Sequence, residues 1–75
     1  MPTQIEAALE AAEPFITRQN AEAYDNQTDK MLWVEENIMD PAGINFTICS
    51  NIGSQICEAI EDRLDVILYF VDRAA

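Results

Sequence analysis

Residues 44–73 read INFTICSNIGSQICEAIEDRLDVILYFVDR, and the folding of that stretch decides the architecture. Ile44, Ile48, Ile52, Ile56, Ile60, Leu64 and Leu68 recur every fourth residue, which predicts one long helix from Ile44 to Arg73. The alternative is local. Ile44, Phe46 and Ile48 alternate with Asn45, Thr47 and Cys49, as on a short half-buried strand. A strand needs a partner, and no second run offers one, so the helix is preferred. Gly43 is expected to mark an irregular turn before it and Gly53 a weak point within it.

On that helix the apolar face carries Ile52, Ile56, Ile60, Leu64, Ile67 and Val71. It spans about half the circumference, wider than the stripe of roughly 100° that one covering surface requires. Cover from two sides is therefore expected, and these residues are the predicted interface of a homodimer. The other face collects Glu58, Glu61, Asp62, Asp65 and Asp72, with Tyr69 beside them. Hardly any lysine balances it. Like charges at i,i+4 cost a few tenths of a kcal/mol each, so a one-signed face either serves binding or simply escapes selection. Arg63 alone projects toward the apolar sector, where it is expected to pair with a glutamate of the first helix.

Thr3 and Glu6 have capping-box spacing, followed by apolar Ile5, Ala8, Leu9, Ala12 and Ile16. Pro14 interrupts this first helix. The apolar phase continues to Ile16, which predicts a kink there and not a break. Glu6, Glu10 and Glu13 form a second acidic face. Residues 25–29 read as a polar connection and roughly 28–39 as a further helix, ended by Asp40, Pro41 and Gly43. Its apolar positions fall on two lines, Met31, Val34 and Ile38 against Leu32 and Met39. Trp33 points away from both and is rimmed by charge, the composition of an interface anchor, unless it belongs to the core. The fold expected is all-α, a single three- or four-helix unit over residues 1–75.

Nearly half of the 75 residues are hydrophobic (49%), too many for a disordered chain. A net charge of −10 argues against direct binding of nucleic acid or anionic lipid and favours a basic protein surface. The longest apolar run, Val66 to Val71, is far too short for a membrane span, and the first residues do not resemble a secretory leader. Cys49 and Cys57 on one helix would lie roughly 12 Å apart, too far for a disulfide. Reduced thiols and a cytoplasmic location are expected, and the sequons at Asn26 and Asn45 are then chance matches.

Catalytic chemistry has little to work with. The chain has no histidine, which removes Ser–His and Cys–His pairs and histidine metal sites. Asp25, Gln27, Asp29 and Glu36 fit positions of a calcium loop, but Lys30 occupies the place that needs glycine. No phosphate-binding loop surrounds Gly43 or Gly53. No cofactor, metal or small-molecule substrate is expected, and no catalytic residue. In size, acidity and lack of catalytic groups the chain is similar in profile to small phage-encoded inhibitors of host defence, the anti-CRISPR class among them. Small size, a charge of −10, the one-signed face and the absence of catalytic groups together lead us to expect a non-enzymatic inhibitor that occupies a basic, nucleic-acid-binding surface of a partner protein, with Glu58, Glu61, Asp62, Asp65, Tyr69, Asp72 and Trp33 as contact residues. The alternative is a structural or regulatory dimer that meets its partner through apolar surface.

Overall fold

The computed structural model describes residues 3–70. Its α-helices are α1 (Gln4–Ala12), α2 (Arg18–Asp25), α3 (Lys30–Val34) and α4 (Asn51–Tyr69), and the described residues contain no strand. The expected all-α class holds. α4 is the central rod, and α1, α2 and α3 all pack on it.

α1 starts where the sequence places it. Thr3 Oγ accepts from Glu6 N at 3.1 Å, and Glu6 Oε1 accepts from Thr3 N at 2.8 Å, completing the capping box. Pro14 breaks the helix; the kink is not realised. α1 stops at Ala12 and a 3₁₀ turn follows at Glu13–Phe15, with Pro14 near its start. Ile16 and Thr17 then extend the chain, at ψ 84° and 165°. Thr17 caps a separate helix, α2, by accepting from Asn20 N at 3.1 Å. The apolar phase survives the break because Phe15 and Ile16 both pack on the core from the turn.

The two apolar lines of the third helix have one cause. After Val34 the coil widens into a π-helical stretch, Glu35–Met39, closed by Asp40 N donating to Glu35 O at 2.8 Å. The extra residue in the turn rotates the phase, so Val34, Ile38 and Met39 are all fully buried. Gly43, with φ +78°, then turns the chain in a conformation that side chains resist.

α4 begins at Asn51, not at Ile44. Ser50 is its N-cap, with Oγ accepting from Gly53 N at 2.9 Å and donating to Thr47 O at 2.8 Å. Residues 44–47 are neither helix nor strand. Their burial nonetheless alternates, Ile44 inside, Asn45 out, Phe46 half-buried and Thr47 out. Gly53 is not a weak point. It is buried at the helix start because the Thr47 backbone lies against it, and a Cβ there would overlap Thr47 O and sit 2.6 Å from Thr47 C.

The described residues assigned to a dimer interface belong to this chain's own core or pack against it. Ile56, Ile60 and Leu64 are fully buried, and Ile52 and Ile67 are half-buried against them. Cover comes from Ala8 and Ala12 of α1, Ala21 and Tyr24 of α2, and Val34, Ile38 and Met39. The buried alanines leave room for α1 and α2 to close on the isoleucine ridge of α4. At Ile56, Ile60 and Leu64 the wide apolar sector is thus covered from within one chain. Val71, counted in that sector, and Asp72, counted in the acidic face, lie outside the described residues.

Candidate functional site

Glu58, Glu61, Asp62 and Asp65 fall on one side of α4, and the helix holds them there because its opposite side is locked into the core. They are not equivalent. Glu58 and Asp62 are exposed, whereas Glu61 and Asp65 are half-buried at the margin of the core.

Glu61 has structural duty. Its Oε2 accepts from the hydroxyl of Tyr24, a buried side chain of α2, at 3.2 Å. Burial raises its pKa above the ordinary 4.5, and Asp65, Glu58 and Asp62 raise it further, while the tyrosine hydrogen bond pulls it down. The folded chain therefore holds that proton more tightly than the unfolded chain does. Stability accordingly falls as pH rises through the window between the ordinary and the raised value, and recovers on acidification. Urea midpoints should thus climb as pH drops from neutrality toward the carboxylate range. Glu61→Gln should flatten that climb. An unchanged slope in the variant would show that Glu61 carries none of it.

The acidic territory extends beyond α4 to residues that sequence reasoning placed in a connection. At the end of α2, Asp25 Oδ1 accepts from the Tyr69 hydroxyl at 2.8 Å. Hydrogen bonding to Asp25 raises the Tyr69 pKa, and the charges of Asp25 and Asp65 add to it. Asp29 caps α3 through Leu32 N at 3.1 Å. Glu35 accepts from Ile48 N at 3.0 Å and so ties the turn before α4 to the π stretch. With Glu61 and Glu58, both Glu35 and Asp29 act on Cys57, whose thiol is pushed up to about 12, first by burial and then by these charges. It stays protonated near neutrality and offers no nucleophile. Cys49, by contrast, is exposed, and both cysteines are free thiols.

The described basic side chains all have partners inside the chain. Arg63 reaches Glu13 at 3.4 Å, the pairing with the first helix that the sequence predicts. Arg18 meets Glu22 at 3.7 Å and donates to Ile67 O at 3.0 Å. Lys30 lies over the Tyr24 ring, 5.8 Å from its centre. None neutralises Glu58 or Asp62.

Of the two placements open to Trp33 from the sequence, the structure shows the one beside the core. It is half-buried against the core, with its ring centre 6.3 Å from that of Tyr24. Aromatic packing decides its orientation, and the polar residues around it in sequence do not. The apolar surface left in the open is elsewhere, at Leu32 and at the end of α4, where Val66, Tyr69 and Phe70 are 44%, 48% and 74% exposed.

A groove of about 350 Å³ between α1 and residues 43–46 is lined by Ala7, Ala8, Ala11, Ile44 and Phe46, with no ionisable side chain. It offers no acid or base. A smaller hollow of about 230 Å³ holds Glu6, Glu10 and Glu13 with Arg63. Among the described residues no cluster of Cys, Asp and Glu is arranged to hold a metal ion, and no helix is long and apolar enough to cross a membrane. Compared with models of known protein families, with curated proteins and with solved structures, the chain matches none.

Proposed function

We propose that this chain is a non-enzymatic binding protein whose acidic α4 face occupies a basic, nucleic-acid-binding surface of a partner protein. The reading extends to the kind of cytoplasmic inhibitor that phage and mobile elements direct against host defence. One observation carries it. Glu58, Asp62 and Asp65 stand in line on a rigid helix, flanked by Asp25, while the described basic side chains are engaged elsewhere. A row of fixed carboxylates competes with phosphates for Lys and Arg, and its long-range field speeds encounter. Glu61 is better left out of the contact set, since the fold already uses it.

The test replaces Glu58, Asp62 and Asp65 with lysine and leaves Glu61 in place. Wild type, immobilised in nuclease-treated host lysate, should retain a nucleic-acid-binding protein at low salt and release it when duplex DNA or RNA is added. Retention should weaken steeply toward physiological salt. The lysine variant should retain at least tenfold less with its helicity unchanged, since three charge contacts are reversed. Capture that persists in the variant and ignores salt would instead favour docking through apolar surface. That second reading has its own support in the exposed Val66, Tyr69 and Phe70.

A further inference from the structure

On the outer side of α4, Glu58, Asp62 and Val66 follow one another at intervals of four, and Phe70 continues the row one residue past the helix end. All four are exposed. Rows of this spacing are the ridges with which helices pack on one another, and this one runs about 18 Å from Glu58 to Phe70. It changes character halfway. Its first half is two carboxylates, and among the described residues neither is held by an ion pair or a hydrogen bond. Its second half is two apolar side chains that the core does not cover. Tyr69 lies beside the row but is engaged within the chain and takes no part in it.

The two halves together select the occupant. A purely basic surface would satisfy Glu58 and Asp62 but leave hydrated charge against Val66 and Phe70. A purely apolar one would strip water from the carboxylates without replacing it. An anionic lipid surface is repelled. A second copy fails on register. Laid antiparallel along the row by a two-fold axis, it sets Phe70 on Glu58 and Val66 on Asp62; laid parallel, it sets carboxylate on carboxylate. What matches is an amphipathic helix with Lys or Arg on its first turns and apolar side chains on the next, its own ridge lying along this one. The basic end answers a net charge of −10, and the apolar end buries what α4 leaves in water.

We infer that the α4 ridge from Glu58 to Phe70 docks an amphipathic helix of a protein partner, with basic side chains on Glu58 and Asp62 and apolar side chains on Val66 and Phe70. This rests on the acidic-face function proposed above and adds the partner's secondary structure and the segregation of its residues.

Three labelled peptides of about 18 residues, long enough to be helical, serve as probes. One segregates lysines and leucines into successive halves of a single i,i+4 row, one interleaves the same residues along it, and one carries alanine in place of leucine. In fluorescence anisotropy near physiological ionic strength, the full chain should bind the segregated peptide about tenfold tighter than either of the others. Covering Val66 and Phe70 outweighs the ordering of the peptide by at least that much. Val66→Ala with Phe70→Ala should abolish the preference with helicity intact and leave the alanine peptide's affinity within about twofold. Glu58→Gln with Asp62→Asn should weaken the segregated and alanine peptides alike, by about tenfold. Equal binding of all three peptides, or a preference that survives in the Val66→Ala, Phe70→Ala chain, overturns the helix site and leaves the acidic-face reading standing. So does a wild-type chain that sediments as a dimer, or binds phosphatidylcholine vesicles, and loses that property in the same variant, since a second copy or a lipid then occupies the ridge. If none of the peptides binds, both fall.

Discussion

Gly53→Ala is expected to cost the fold about 2–3 kcal/mol, although alanine is the better helix former. Two effects oppose each other at this position. Alanine in a helix interior gains up to ~1 kcal/mol over glycine. Against that, the new methyl would overlap the Thr47 carbonyl and lie 2.6 Å from its carbon, so either the turn or the start of α4 must move. Backbone yields less than a side-chain tip, and this carbonyl also accepts from Ser50 N at 3.1 Å and Ser50 Oγ at 2.8 Å. The clash wins. In a chain of this size the thermal midpoint should fall by roughly 10–20 °C, read by circular dichroism. Gly43→Ala is the comparison, because open space surrounds Gly43 and only its φ of +78° resists, at about 1–2 kcal/mol. A Gly53→Ala protein as stable as wild type would show that the approach of Thr47 is not tight.

The same turn explains where sequence reading stopped short. Ile44 and Ile48 satisfy an alternation of two and a repeat of four at once, so periodicity cannot tell a strand from a helix there. The deciding signal was Ser50, three residues before Gly53, whose hydroxyl caps α4 and ends the ambiguity. Pro14 misled for a related reason. Apolar phase ran through it to Ile16, while the capping threonine at 17 announced a new helix. The π stretch was visible only as two apolar lines that would not merge. Local chemistry was legible where two residues suffice, as in the Thr3–Glu6 capping box and the Arg63–Glu13 pair.

The candidate site was half legible. Spacing alone put Glu58, Glu61, Asp62 and Asp65 on one side of α4, and the structure keeps them there. Spacing could not show that Tyr24 would bury its ring beside Glu61, or that Asp25 would cross from α2 to Tyr69. Those contacts join residues far apart in sequence, and they divide the carboxylates into groups the fold uses and groups it leaves free. Trp33 shows the same limit, since its partner Tyr24 comes from another helix.

Ile60→Ala should separate a self-sufficient core from one completed by a second chain. Ile60 is fully buried at the middle of α4, with α1, α2 and α3 packed on that helix within a single chain. Truncation removes three carbons and leaves a void that helices fixed at both ends fill poorly, so a loss of about 3–4 kcal/mol is expected. For a protein this small that is a large part of the total stability, and the midpoint should drop by roughly 15–25 °C. If the core is intramolecular, the drop should be the same across a roughly hundredfold range of protein concentration, and the wild-type midpoint should not move either. If Ile60 instead met a second copy, both midpoints would rise with concentration by mass action, and the variant would shift from dimer to monomer in sedimentation. Ile60→Val serves as the calibration at about 1 kcal/mol, since one methylene is lost and the β-branch is kept. A midpoint independent of concentration, with the graded loss from valine to alanine, is the result that a closed single-chain core requires.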